Sequence, residues 1–199
     1  MSKIKKICVF ASSSNFLEDK YYKSVKELGL ALGQSGFDVV YGGSNLGLMW
    51  TCAKSAKDNG SKIFGVMPKK LHDILGEKSS EICDELYITD TMRSRKAKLD
   101  EISDAVIAVP GGFGTLEELS EMIVQKQLGY NTKPIIIYNT DNFYGNLIEF
   151  FEKMIHEHYA TPDMRTLYYV SENAEDVINY LKNYTPQERV INKETVYKR

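Results

Sequence analysis

The sequence predicts an α/β protein: a Rossmann-like, doubly wound parallel sheet with helices on both faces. Three observations carry this. Short apolar runs alternate with longer stretches of helical spacing along the chain. The runs are apolar throughout, as in strands buried on both faces. Glycine-rich turns stand where a run passes into a helix. Strands connected this way lie parallel, joined by right-handed crossovers.

Ile4 to Ala11 is the first strand. Its apolar centre, Ile7 to Phe10, is too short for a signal peptide despite the lysines before it. The loop Ser12-Ser13-Ser14-Asn15 follows. It reads equally as a ligand loop, with Ser13 the candidate contact, or as a helix N-cap cluster. Tyr21 to Gly33 is a helix by its Val25, Leu28 and Leu32 spacing. Phe37 to Tyr41 is the second strand, and Gly42 and Gly43 open a glycine turn into the next helix. Ile63 to Met67 is the third strand, ended by Pro68. Lys69 to Ser80 lacks a clear period and reads as a loop or short helix beside a site.

Glu85 to Thr89 is a short fourth strand. Met92 to Ile102 is a helix with a basic beginning, and Ile102 to Val109 leads in as the central strand. Leu116 to Leu128 is amphipathic. Pro134 to Tyr138, a helix from Phe143 to His158, an edge strand from Leu167 to Val170 and a helix from Ala174 to Tyr184 complete the pattern. Residues 1–184 read as one nucleotide-binding domain and residues 185–199 as a polar tail.

At 199 residues, 43% of them hydrophobic, the chain is long enough to bury a full core in one soluble domain. Its 25 Lys and Arg nearly balance 27 Asp and Glu, which gives no electrostatic case for nucleic acid as the main partner. No run is long enough to span a bilayer. Cys8, Cys52 and Cys83 lack metal-ligand spacing, so they read as reduced thiols of a cytoplasmic protein. No metal and no cofactor is expected.

The stretch Pro110-Gly111-Gly112-Phe113-Gly114-Thr115-Leu116-Glu117-Glu118 organises the rest. It passes from strand to helix, where unpaired N–H groups and the helix dipole favour an anion. Glycines at 111, 112 and 114 let a phosphate approach the backbone. A dinucleotide fingerprint after the first strand and a Walker lysine are both absent, so NAD binding and ATP hydrolysis are not expected.

Thr115-x-x-Glu118 has capping-box spacing. Either Glu118 bonds back to the helix start, or it places a carboxylate over the phosphate loop. There it could stabilise the oxocarbenium-like state of a breaking N-glycosidic bond. Glu117 is the competing carboxylate, on another face. Arg95 and Lys96 sit where the helix dipole disfavours cations. They read as ligands of an anion or as a solvated basic face. Met92, just before them, reads most simply as core and is also carried as a binding position.

Met92-Arg93-Ser94-Arg95-Lys96, followed by the Pro110 to Glu118 stretch, resembles the paired signature of the LONELY GUY (LOG) family. Tyr41 to Met49 is similar to that family's Tyr-Gly-Gly-Gly segment, with Ser44 in place of a glycine. Arg93 stands where the family has His. The resemblance implies hydrolysis of AMP or an N6-modified AMP to free base and ribose 5-phosphate, without metal. It implies that Arg95 and Glu118 are catalytic, and that Lys96, Gly111, Gly112, Gly114 and Thr115 bind nucleotide. It also implies a homodimer with sites near the interface. Two other readings stay open: a nucleotide or molybdopterin-type carrier on the same fold, and a nucleotide sensor.

Overall fold

The structure, a computed structural model, describes residues 4–76 and 81–187. Seven strands form one all-parallel sheet: β1 (Lys6–Phe10), β2 (Asp38–Tyr41), β3 (Ile63–Pro68), β4 (Glu85–Thr89), β5 (Ala105–Ala108), β6 (Ile135–Tyr138) and β7 (Tyr169–Ser171). Their order is β4-β3-β2-β1-β5-β6-β7. The chain builds outward from β1 in one direction, then returns to β1 and builds outward in the other. The switch point therefore lies between β1 and β5.

Among the described residues, six α-helices connect the strands and a seventh follows the last of them: α1 (Asp19–Gln34), α2 (Gly47–Asp58), α3 (Lys69–Leu75), α4 (Met92–Glu101), α5 (Phe113–Gln127), α6 (Gly145–His156) and α7 (Ala174–Asn183). Successive strand residues point to opposite faces, which makes two cores. Ile7, Val9, Val39, Tyr41 and Ile107 meet α1, α2 and α7. Cys8, Phe10, Val40, Val66 and Val106 meet Leu99 of α4, Leu119 and Met122 of α5, and Tyr144.

Two sequence expectations shift, the starts of the helices expected from Phe143 and Leu116, and the segment read as a loop or short helix is resolved as the latter. The segment after β3 is a helix, α3, with no buried residue; it was hard to read because it has no core face. Residues 77–80, the rest of that segment, lie outside the described residues, as does the expected tail from residue 188. The stretch from Phe143 follows a separate 3-10 turn, Thr140–Asn142, in which Asp141 and Asn142 both hold positive φ. Finally, α5 begins at Phe113, ahead of the expected Leu116, because Gly112 is its N-cap.

Candidate active site

The carboxyl ends of β1, β2, β3 and β5 converge with the starts of α4 and α5. The β1 and β5 loops are tied together where Ser12 N–H donates to the Pro110 carbonyl at 3.3 Å. Leu116 N–H is the first of α5 to bond back, to the Gly112 carbonyl at 3.0 Å. The N–H groups of Phe113, Gly114 and Thr115 thus precede the intrahelical ladder, as an anion cradle requires. Gly112 and Gly114 are exposed at this turn, whereas Thr115 is buried. At Gly111 an added Cβ would lie 2.1 Å from Thr115 Oγ1, so only glycine lets the turn fold onto Thr115.

The helix start settles the capping question. Thr115 is the third residue of α5, not its N-cap, and Gly112 caps without any side-chain bond. The capping-box reading is therefore corrected. Glu118 instead meets Arg95 across the α4–α5 interface: Arg95 Nη1 donates to Glu118 Oε1 at 2.7 Å. Both side chains are about nine-tenths buried, at 10% and 11% exposure. Arg95 Nε also donates to the Val66 carbonyl within β3, at 3.2 Å. The guanidinium lies against Gly42, where an added Cβ would be 2.6 Å from Nη2. Gly42 thus makes room for Arg95, and buried Gly43 follows it.

Burial pushes the Glu118 carboxyl above its ordinary range, and the Arg95 charge only partly offsets this. Cys8, in the middle of β1, is pushed up first by its own burial and next by the Glu118 charge, which fits a position beneath the pair. The basic start of α4 finds its counter-charges on α5. Lys96 bonds Glu117 and, at 2.6 Å, Glu121; these two carboxylates lie four residues apart on one helical face. Their hydrogen bonds raise the Lys96 pKa. Glu121 was legible only through that spacing. Lys96 therefore leans on α5 beside the Arg95–Glu118 pair.

Other expected contacts fall around this centre. Met92 is half-exposed at the start of α4, which corrects its reading as a core residue. The helix is capped by Thr91, whose side chain and that of Ser94 exchange bonds with each other's backbone N–H. Ser13 is exposed in the β1 loop. That loop braces α2, not α1: the Ser12 carbonyl accepts from Leu48 N–H at 2.9 Å, and Asn15 Oδ1 accepts from Gly47 N–H at 2.9 Å. Ser44 is buried, and its hydroxyl has no partner among the described residues. Among those residues no group of three or more His, Cys, Asp or Glu could hold a metal ion. No helix described is long and apolar enough to cross a membrane.

Three cavities among the described residues lie away from this centre. One, of about 480 Å³, is lined by Lys126, Tyr168, Tyr169, Tyr180 and Tyr184. It is bounded by the start of β7 and the ends of α5 and α7, so its chemistry is separate from that of the pair.

Fold and cluster together define a Rossmann-type α/β protein with a buried arginine–glutamate pair at the switch point. Comparison with known proteins narrows the class. A family described as "Possible lysine decarboxylase" matches residues 49–181. The cytokinin riboside 5′-monophosphate phosphoribohydrolase LOG3 of Arabidopsis thaliana is 37% identical over 96% of this chain and 89% of its own length. LOG1 of the same plant is 37% identical over 98% and 91%. The chain belongs to this LOG family. Among solved structures, a molybdenum cofactor binding protein from Rippkaea orientalis has a TM-score of 0.69 at 22% identity, covering 92% of this chain and 98% of that one. The molybdenum cofactor carrier protein of Chlamydomonas reinhardtii also gives 0.69 at 22%, covering 90% and 97%. These two likenesses concern the fold.

Proposed function

We propose that this protein hydrolyses the N-glycosidic bond of a nucleoside 5′-monophosphate, AMP or an N6-modified AMP, releasing free base and ribose 5-phosphate. The observation that carries the reading is the buried Arg95–Glu118 pair one turn inside α5, beside the helix start suited to a phosphate. The family supports it, since the relatives above are named for this activity on cytokinin nucleotides. We take the enzyme to be cytoplasmic and to work without metal or cofactor. Residues 1–184 would form one nucleotide-binding unit.

The phosphate would sit on the N–H groups of Gly112 to Thr115, which places the sugar near the carboxylate above. As the C1′–N9 bond breaks, its electron pair leaves with the base and positive charge builds on C1′ and the ring oxygen. The Glu118 carboxylate opposes that charge and orients a water, whose oxygen bonds to C1′. The water loses one proton, which passes directly or through solvent to the departing base, so the products are neutral base and ribose 5-phosphate. Arg95 has two tasks. It favours the ionised form of Glu118, offsetting part of the cost of burial, and it can turn a guanidinium N–H toward the substrate. Gly42 and Gly43 leave space beside it, Lys96 and Glu117 form a charged rim, and Met92 and Ser13 border the opening.

The carrier reading shares the anion turn and the fold of the two molybdenum-cofactor proteins. A carrier needs no buried carboxylate beside the sugar, so the pair favours the hydrolase. The test is to incubate the protein with AMP, N6-prenylated AMP and the corresponding nucleosides, then quantify free base. Base release from monophosphates, with nucleosides slower by orders of magnitude, is expected; charged hydrogen bonds contribute about 1.5–3 kcal/mol each. No base from any monophosphate would sink the hydrolase reading.

A further inference from the structure

Val109 is the last residue before the Pro110-Gly111-Gly112 turn. Its N–H donates to the Phe10 carbonyl at 2.9 Å, within the sheet. Its carbonyl is taken by a side chain from outside α5: the Tyr144 hydroxyl donates to Val109 O at 2.7 Å. Tyr144 is buried, and burial pushes its phenol pKa upward, so the group stays a donor. Its own position is over-determined. Asn139 Oδ1 accepts from Tyr144 N–H at 2.7 Å, and Asn139 Nδ2 donates to Asn142 Oδ1 at 3.2 Å. Asn139 N–H is held by the Ser171 carbonyl at 2.7 Å. Asp141 and Asn142 keep positive φ between them, at 53° and 56°, a costly conformation that turns the chain back so the ring enters the core under α5.

We infer that Tyr144 is a positioning residue for the anion turn. Its hydroxyl fixes the Val109 carbonyl and, through the rigid Pro110, the direction in which the first N–H groups of α5 point. The inference rests on the proposed phosphate site. Phosphate lies remote from the bond that breaks, so a misaimed turn weakens substrate and transition state alike. That raises KM and leaves kcat nearly unchanged.

The test is Tyr144→Phe, which removes one oxygen and keeps the ring. Calorimetry with inorganic phosphate reads the site without turnover, and AMP and adenosine are compared in the same way with Glu118→Gln added to both proteins to stop hydrolysis. Kd for phosphate and for AMP should rise about tenfold, the scale of one lost hydrogen bond, while adenosine binding is unchanged. Amide exchange at Gly112 to Thr115 should quicken. A purely structural role would lower the melting temperature without separating AMP from adenosine. Wild-type Kd values for phosphate and AMP, or equal weakening of AMP and adenosine, would overturn the inference. So would a wild-type protein that binds no phosphate. A wild type that binds AMP yet releases no base would fail the hydrolase reading alone, and the Kd comparison would still decide the role of Tyr144.

Discussion

Helices α1, α2 and α7 cover one face of the sheet with ordinary apolar packing. Val25, Leu28 and Leu32 of α1, Cys52, Ala53 and Ala56 of α2, and Val177, Ile178 and Leu181 of α7 are all buried. The α1–α2 approach is so close that a Cβ on Gly29 would lie 2.4 Å from the Cys52 carbonyl. The opposite layer is built differently. α4 buries only Arg95 and Leu99, and α6 only Ile155. Met92, Val124, Leu128 and Phe150 stand about half-exposed there. One layer closes the core. The other buries Leu99, Leu119, Met122 and Ile155 but adds a charged pair to them and leaves apolar surface uncovered. That difference is why we expect the chemistry on the α4–α5 side, and why a partner subunit, if the protein pairs as the family resemblance implies, would cover that side.

The comparison can be broken by substitution on each side. Arg95→Ala should have the largest effect. It strands the Glu118 carboxylate in a buried site, so a loss of about 3–5 kcal/mol in urea unfolding is expected, together with nearly all base release. Unchanged stability would mean that the pair is solvated. Leu28→Ala, on the closed layer, should cost about 2–5 kcal/mol through cavity formation. Activity per folded molecule should stay at the wild-type level, and a parallel loss of turnover would erase the distinction between the layers.

The pair also sets a pH signature. The carboxyl of Glu118 is raised in the fold, so between the ordinary glutamate range and its own pKa the folded protein binds a proton that the unfolded chain has released. Stability from this group falls as pH rises through that window, whereas turnover rises because the ionised form appears. Stability and activity that climb together there would contradict the assignment. The smallest effect on monomer stability should come from Val124→Ser with Leu128→Ser, within about 0.5 kcal/mol each. The same change should turn a dimer into a monomer in sedimentation. A wild type already monomeric at micromolar concentration would remove the partner from this face.

The βα alternation was legible because the central strands are buried on both faces and leave apolar runs, as Ala105 to Ala108 does, while the edge strands β4 and β7 are only partly covered. The candidate site was legible where glycine makes room for a neighbouring side chain, at Gly42 and Gly111, and where charge defies the helix dipole, at Arg95. What stayed hidden depends on contacts between distant residues. Nothing local says that Arg95 finds Glu118, that Lys96 leans on Glu117 and Glu121, or that Tyr144 reaches Val109. The start of α5 was misplaced for a related reason: Phe113 is almost fully exposed and Gly114 adds no apolar mark, so the first turn has no periodic signal. α3 lacks a buried face altogether and gave none either.

The central claim is that the Glu118 carboxylate stabilises a breaking N-glycosidic bond. Glu118→Gln tests it most directly, because glutamine can still accept from Arg95 and α5 needs no cap from this position. Single-turnover release of adenine from bound AMP should fall roughly 10²–10³-fold, the scale of one lost electrostatic contribution, while AMP still binds. A Glu118→Gln protein that releases adenine at the wild-type rate would contradict the account and return the carrier reading to first place.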